Sequence, residues 1–142
     1  MNQLQNLYFV NAIPSQSLTG ATATDTEIDT VQVGVKYNWL TVIISLGAIG
    51  AAGITTLKLQ ESDSTGASEA DFTGSAFAAV VDADDNKILV ANVKLDKRKR
   101  YISIVCTAGA NACLVSAVAV LSRANEAPNG VTAQNLLQMI NV

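Results

Sequence analysis

Histidine is absent from the sequence, and the other residues that carry chemistry in proteins are sparse. The 142 residues include two cysteines, and charged residues make up 15% of the chain. Without imidazole, a Ser-His-Asp triad, a Cys-His pair and a histidine metal site are all excluded. No catalytic residue, metal or cofactor is therefore expected, and we predict that the chain is not an enzyme.

Positive charge is also scarce. Nine Lys and Arg residues stand against twelve Asp and Glu residues, which gives a net charge of −3. Direct binding to nucleic acid needs a basic surface, so this balance disfavours it. The most apolar stretch, Trp39–Leu59, is interrupted by three glycines and by Lys58, which argues against a membrane span. The first residues lack the basic start and apolar run of a signal peptide, which predicts synthesis in a cytoplasm.

Small aliphatic residues are abundant, and they recur with a period of two. Hydrophobic residues make up 49% of the chain, whereas aromatic residues make up 5%. Four segments show the apolar run or the alternation that is typical of a β-strand, namely Thr26–Val33, Trp39–Leu46, Ile88–Leu95 and Asn111–Leu121. The pattern predicts an all-β chain that folds as an antiparallel β-sandwich of about seven or eight strands.

The two ends of the chain differ from its middle. Residues 1–24 are small and polar, with Leu7–Val10 as their apolar cluster. We therefore predict an extended N-terminal arm over residues 1–24, followed by a β-sandwich domain over residues 25–142. An ordinary first strand is the alternative interpretation of the N-terminal segment. Near the C-terminus, Val131–Ile140 is the main candidate for a helix.

The two cysteines fall on the last pair of predicted strands. Gly109-Ala110 between these strands is typical of a two-residue type II′ turn, and the resulting register places Cys106 opposite Cys113. One interpretation is a disulfide, and the other is a pair of buried thiols. The expected pair is a hydrogen-bonded one, whose wider Cα spacing suits a disulfide less well, and a cytoplasm keeps thiols reduced. We therefore predict two free thiols.

Both faces of these last two strands are apolar. One face carries Ile102, Ile104, Cys106, Cys113, Val115, Ala117, Ala119 and Leu121. The opposite face carries Tyr101, Val105, Leu114, Val118 and Val120. Because the outer face of a lone sandwich is normally polar, we expect one face to pack on the other sheet. The second face is expected to contact another subunit or the arm.

A cluster of cations lies between two of the predicted strands. Its members, within seven consecutive residues, are Lys94, Lys97, Arg98, Lys99 and Arg100. A nucleic-acid contact is one interpretation, and a solvated turn is a second. The third is a basic patch that binds an acidic neighbouring protein, where charge sets orientation and specificity.

Seven of the twelve acidic residues fall into two groups, neither of which matches a known kind of site. The turn Asp82–Asn86 departs from the EF-hand calcium loop, because Lys87 stands where that loop needs glycine. A second group comprises Glu61, Asp63, Glu69 and Asp71. These carboxylates have few aromatic residues nearby to stack a sugar, which disfavours a glycosidase. Neither group predicts a site.

Four short motifs resemble one family of proteins. They are Leu57–Ser64 (LKLQESDS), Asp71-Phe72, Lys99–Ile102 (KRYI) and Val118–Leu121 (VAVL). Together they resemble small structural proteins of tailed bacteriophages that are encoded near the major capsid protein. The resemblance covers about Trp39–Arg123. It implies a capsid decoration (cement) protein with a jelly-roll-like β-sandwich, which forms a homotrimer.

The resemblance implies a function by binding. The chain would be made in the cytoplasm of the bacterial host, bind the outer surface of the phage head through the major capsid protein, and stabilise contacts between capsomers. The candidate partner-binding residues are Leu7, Tyr8 and Phe9 of the arm and Lys97, Arg98, Lys99 and Arg100 of the basic turn. The alternatives are another virion component, such as a tail or head–tail connector protein, and a carbohydrate-binding β-sandwich.

Overall fold

The fold was analysed in a computed structural model that describes residues 7–23, 27–32, 34–122 and 136–141. These residues form twelve β-strands: β1 (Tyr8–Leu18), β2 (Thr22–Ala23), β3 (Ile28–Asp29), β4 (Val31–Gln32), β5 (Val35–Lys36), β6 (Trp39–Ile49), β7 (Ile54–Ser62), β8 (Ala70–Ala76), β9 (Ile88–Lys94), β10 (Tyr101–Ala108), β11 (Cys113–Ser122) and β12 (Leu136–Asn141). Two short 3-10 turns, Asp82–Asp84 and Leu95–Lys97, flank β9. Eight of the strands have six or more residues, which confirms the prediction of an all-β chain with about seven or eight strands.

The long strands form two sheets. Sheet A has the order β1-β11-β6-β9-β12, and sheet B has the order β2-β10-β7-β8, with β3 also paired to β10. Neighbouring strands run antiparallel, except that β12 pairs with β9 in parallel. The strands β4 and β5 form a small separate hairpin. The arrangement confirms the predicted sandwich of antiparallel sheets.

The core lies between the two sheets and is built from small aliphatic side chains. Alternate residues of β6 point inwards, and Leu40, Val42 and Ile44 are fully buried. From the opposite sheet, Ile102 and Ile104 of β10 are fully buried as well. Burying each such side chain stabilises the fold by about 1.5–3 kcal/mol. The two inner faces therefore hold the sandwich together without large aromatic residues.

The predicted hairpin between β10 and β11 is wrong, because β10 lies in sheet B and β11 in sheet A. Two other loops form hydrogen bonds with the backbone of the connection between β10 and β11. The Gly109 N–H donates to the Gly53 carbonyl (N···O 2.9 Å), and the Gly20 N–H donates to the Gly109 carbonyl (2.6 Å). A side chain at Gly109 would come within 2.5 Å of the Ala52 Cβ, so this crossing requires glycine. The connection passes from one sheet to the other.

Because of this crossing, the two cysteines lie in different sheets. Cys106 pairs with Leu57 and Ala23, whereas Cys113 pairs with Ile49 and Leu18. Both thiols are free and buried in the core. The free thiols agree with the prediction, although the register on which it was argued does not hold.

The N-terminal segment contains a strand of sheet A. From Tyr8 opposite Leu121 to Leu18 opposite Cys113, β1 pairs with β11 along its length. For Tyr8–Leu18, the interpretation as an ordinary first strand therefore describes the structure. Residues 1–6 and 24–26, which belong to the expected arm or border it, lie outside the described residues.

Near the C-terminus, the structure has a strand where a helix was expected. Leu136–Asn141 forms β12 and pairs with the edge of sheet A at β9. Ile140 also packs against the core. The free edge of β9 and this apolar contact outweigh the local helical pattern. The earlier part of the expected helix, residues 131–135, lies outside the described residues.

Candidate interaction surface

The surface of interest is the outer face of sheet A, formed by the side chains of β1, β11, β6 and β9 that point away from the core. The alternation along β11 places Ala117, Ala119 and Leu121 in the core. The intervening Val118 points outwards and is 42% exposed. The eight residues that the sequence analysis placed on one face are all buried, although they come from two different sheets, and the sequence left open which of the two faces packs on the core.

Strand pairing brings the outward apolar side chains of this face together. Val118 lies opposite Ile43 of β6, and Ile43 lies opposite Val90 of β9. At the next outward position of β11, Val120 lies opposite Phe9 of β1. Directly paired side chains on one face of a sheet contact each other, so these residues form two neighbouring apolar rows, with the polar Asn11 opposite Val118 and Thr41 opposite Val120.

The outer face of sheet A holds most of the exposed apolar bulk of the described residues. Among the described residues, five large apolar side chains are exposed. Four of them lie on the outer face of sheet A: Phe9 (53%), Leu114 (46%), Val118 (42%) and Ile43 (37%). The fifth is Val81, which is 52% exposed and lies in the connection between β8 and β9. Scattered single apolar residues are normal on a surface, but a contiguous apolar patch marks an interaction site.

The same face lacks charge. The strands β1, β6, β11 and β12 contain no Asp, Glu, Lys or Arg, and β9 contains Lys94 at its last position. Lys94 lies at the rim, where its Nζ is 3.2 Å from an Asp96 carboxylate oxygen. The polar groups on the face are neutral, and the Thr41 hydroxyl donates to Asn92 Oδ1 at 3.1 Å. Covering this face would therefore bury almost no charge.

A hollow of about 600 Å³ lies at the end of the face away from Phe9. Ser15 and Gln16 of β1, Ser45 and Gly47 of β6 and Ser116 of β11 help to line it. Leu114 lies across Gly47, and a side chain there would come within 2.9 Å of the Leu114 Cβ. The small residues thus leave a depression beside the exposed Leu114.

The outer face of sheet B is polar by comparison. The Lys58 ammonium contacts both carboxylate oxygens of Asp71 at 2.8 Å, and the Gln60 amide donates to Asp71 at 2.7 Å. These hydrogen bonds, chiefly the one from Lys58, hold the pKa of Asp71 below its usual range. On the same face, the hydroxyl oxygens of Thr22 and Thr107 are 2.9 Å apart. Such a surface is suited to water.

The basic turn is largely neutralised by carboxylates of the chain itself. Arg100 donates two hydrogen bonds to Asp29, at 2.9 and 2.8 Å, and Arg98 lies 3.6 Å from Glu61. Lys99 pairs with Asp63 at 3.0 Å, whereas Lys97 is exposed at the surface. The Arg98 guanidinium also lies 4.7 Å above the ring of Phe72. These contacts attach the turn to β3 and β7.

The pairing with Arg100 lowers the pKa of the Asp29 carboxyl group. The hydrogen bonds from Arg100, more than the Val31 N–H bond or the charge of Arg100, hold the pKa of Asp29 below its usual range. The three acidic partners of the turn come from distant parts of the chain, which the sequence analysis did not connect with it. The turn therefore has a structural role in the described part of the molecule.

The predicted partner-binding residues do not form one cluster. Phe9 lies on the outer face of sheet A, whereas Leu7 and Tyr8 are half-buried. The ring of Tyr8 lies 6.4 Å from that of Tyr37, and Tyr8 packs against the core. Sequence reasoning placed Leu114 and Val118 on a face expected to contact another subunit or the arm, but it left out Ile43. Their signal was the absence of charge along the whole of β6 and β11.

The thiol and carboxylate side chains considered as candidates for chemistry have structural roles. Burial, reinforced by the nearby Cys113, raises the pKa of the Cys106 thiol to about 11. The thiol is therefore protonated at neutral pH and is a poor nucleophile. The Asp84 carboxylate accepts hydrogen bonds from the Val81 N–H and from Lys87, which stabilises the turn before β9. The described residues contain no group of three or more His, Cys, Asp or Glu placed to hold a metal ion.

No described helix has the length and apolar character needed to cross a membrane.

Comparison with known proteins finds a distant structural similarity. No protein-family model and no curated protein matches the chain. Among solved structures, it is similar to a chain of the "Structure of infectious bursal disease virus Gx strain", with a TM-score of 0.32 and 16% identity. The similarity covers 86% of this chain and 33% of the viral chain, so this chain spans about a third of that protein. At this TM-score the comparison carries no argument about function, and the phage-family resemblance stays a prediction.

Proposed function

We propose that the chain is a virion structural protein, and more specifically a decoration (cement) protein on the outer surface of a phage head. The observation that carries this proposal is the outer face of sheet A, which is apolar, exposed and uncharged. Such a face is typical of a protein that functions by contact with other proteins. The motif resemblance to phage structural proteins supports the same role.

In this role the chain acts by burying surface and not by catalysis. Apolar area contributes about 25 cal/mol per Å² when it leaves water. If each bound unit touches neighbouring capsomers at the same time, contacts that are individually weak add up to a stable attachment. The partners would be further copies of the chain and the major capsid protein, which we propose is contacted partly through the exposed Lys97 of the basic turn.

The location is tested on purified virions of the virus that encodes the chain. We expect mass spectrometry to find the chain in the particle, and cryo-electron microscopy to place it on the outside of the head at every capsomer. A single ring of copies at the portal or the tail would assign it to the connector or tail and contradict the decoration role. Absence from the particle would contradict a virion function altogether.

The stabilising role is tested with a pair of viruses that carry substitutions in the gene. Val118→Lys places a charge on the outer face of sheet A, whereas Val81→Lys places it on an equally exposed site elsewhere. We expect heads with Val118→Lys to release DNA at a lower temperature than heads with Val81→Lys. Equal release temperatures would show that this face does not stabilise the head.

A further inference from the structure

Strands β11 and β12 lie in one sheet and run in the same direction. β11 is antiparallel to β6, β6 is antiparallel to β9, and β9 is parallel to β12. Two parallel strands of a sheet cannot be joined by a tight turn, and they need a crossover that passes over a face of the sheet. The β11–β12 connection, residues 123–135, lies outside the described residues, but the strands at both of its ends are described. These two ends limit its route.

The register of sheet A places the two ends of the connection at opposite corners. Ser122, at the end of β11, lies opposite Trp39, and Trp39 lies opposite Lys94 of β9. Leu136, at the start of β12, lies opposite Ile88, which is six residues from Lys94 along β9. Three strand spacings of ~4.8 Å and six residues with a rise of ~3.3 Å give a diagonal distance of about 25 Å.

The length of the connection favours a route over the outer face of sheet A. The inner face is closed, because Leu40, Val42 and Ala91 are fully buried between the sheets. A route around the free edge of β12 would follow the end of the sheet and return along the strands, which is about 44 Å. The fourteen Cα–Cα steps from Ser122 to Leu136 reach about 46 Å only when fully extended. The diagonal of about 25 Å needs no such extension.

The burial of the outer face follows this diagonal. A straight line between the two corners crosses β6 at Thr41 and β9 at Val90. Val90 is 6% exposed although it points outwards, the next outward residue Asn92 is also buried, and Thr41 is half-buried. Away from the line, Ile43 is 37% exposed and Val118 is 42% exposed. Val90 and Ile43 each have a paired strand on both sides, so the difference between them indicates that another segment covers Val90.

The sequence of the connection contains one large apolar residue, Val131. The other residues of 123–135 are small, polar or charged, apart from one proline. Val131 is nine of the fourteen steps from Ser122. Even spacing along the diagonal therefore brings it about two thirds of the way across, over β9 and in the row of Val90. A contact between the two valines would remove both side chains from water.

We propose that residues 123–135 cross the outer face of sheet A over β6 and β9, and that Val131 packs against Val90. A partner protein would then contact the part of the face that stays open, on β1, β11 and the adjacent part of β6, around Phe9 and Val118. This route is a property of the isolated chain, so it goes beyond the proposed function and does not depend on it.

The first test shortens the connection and measures hydrogen exchange of the β12 amide protons. Removing residues 128–130 leaves eleven steps, or about 36 Å, which spans the diagonal but not the route around the edge. We expect β12 to keep its protection within about tenfold of the wild type. Removing residues 124–132 is the control. It leaves five steps, or about 17 Å, so β12 cannot reach its place and should exchange at least about 100-fold faster.

Two results of this test would overturn the proposal. Loss of β12 protection on removal of residues 128–130 would indicate a route longer than the diagonal. A β12 strand that stays protected on removal of residues 124–132 would have to come from a second copy of the chain. Neither result bears on whether the chain is found in virions, so failure of this inference and failure of the proposed function can be told apart.

The second test is a double-mutant cycle on the equilibrium constant of unfolding, measured by urea denaturation. Val131→Ala should raise this constant about fivefold or more in the wild-type chain, because it removes methyl groups from a packed contact. In a Val90→Ala chain, the same change should raise it less than about twofold, since the contact is already lost. Val118→Ala is the matched control on the open part of the face, and there Val131→Ala should have its full wild-type effect.

The cycle uses point substitutions of valine by alanine, and circular dichroism establishes that each variant is folded. The same effect of Val131→Ala in the Val90→Ala and Val118→Ala chains, or no effect in the wild-type chain, would overturn the contact between Val131 and Val90.

Discussion

The two sheets of the sandwich have similar inner faces and very different outer faces. Inside, each sheet presents alternate Ile, Leu and Val residues that are fully buried. Outside, sheet A presents the patch around Val118 and Ile43, whereas sheet B presents Lys58, Gln60 and Asp71 in a hydrogen-bonded group. Folding alone requires the inner faces. We propose that the difference between the outer faces reflects what each of them contacts.

Charge is distributed between the sheets in the same uneven way. The strands of sheet A contain Lys94 as their one charged residue, and those of sheet B contain Asp29, Lys58, Glu61 and Asp71. A sheet surface that faces water gains from such residues, and one that faces a protein is destabilised by them unless each is paired. The chain is thus a sandwich with one side suited to water and one side suited to protein.

The largest effect is expected where the two sheets are alike. Ile44→Ala in sheet A and Ile104→Ala in sheet B each leave a cavity between the sheets, because both side chains are fully buried. Each change should lower the free energy of unfolding by about 2–5 kcal/mol, measured by urea denaturation at a concentration where the chain is monomeric. A small loss for one of them would show that its sheet does not share the common core.

The two thiols provide a finer comparison between the sheets. The Cys113 thiol donates a weak hydrogen bond to the Gly53 carbonyl at 3.3 Å, whereas Cys106 lies in the apolar core. Cys106→Ser should lower the free energy of unfolding by about 1–3 kcal/mol, because a hydroxyl is buried there in apolar surroundings. Cys113→Ser should cost less, since its hydroxyl keeps the Gly53 acceptor. Equal losses in urea denaturation would contradict this.

A third comparison concerns how low pH changes the stability contributed by each sheet. The pKa values of Asp29 and Asp71 lie below their usual range because of Arg100 and Lys58. Their contribution to stability is therefore fully present above the unfolded-state pKa and is lost as the pH falls below about 4. We expect Asp29→Asn to be less stable than the wild type at pH 7 and to differ less from it at pH 2, in urea denaturation. Val118→Thr, on sheet A, should leave the acid dependence unchanged, and a changed dependence would place titrating groups against that face.

Local sequence patterns predict which way a side chain of a strand points better than they predict which strands pair with each other. Alternation in β10 and β11 identifies the buried side chains correctly, because the period of two depends on the pleat alone. The same residues do not reveal that β10 and β11 lie in different sheets. Hydrogen bonds from Gly20 and to Gly53 determine that crossing, and these residues lie more than fifty positions away in the sequence.

The candidate site shows the same limit. The apolar character of both faces of the last strands is enough to identify Leu114, Val118 and Val120 as outward apolar residues. The role of Ile43 follows from its position opposite Val118, which is a matter of register. In the basic turn, the sequence shows the cations but not the carboxylates that lie beside three of them, which are Asp29, Glu61 and Asp63. Pairing between distant segments decides both points.

The smallest effect expected is that of salt on the association through sheet A. Raising NaCl from about 0.05 M to about 0.5 M screens exposed charges, but it does not weaken apolar contacts. The dissociation constant for association of copies of the chain, measured by sedimentation velocity, should therefore change by less than about twofold. Lys94→Ala serves as the control, because Lys94 lies at the rim of the face and pairs with Asp96. A contradicting result would be that salt weakens the association about tenfold in the wild type but not in Lys94→Ala. The charge of Lys94 would then hold the copies together, and the apolar character of the outer face of sheet A would not explain the association.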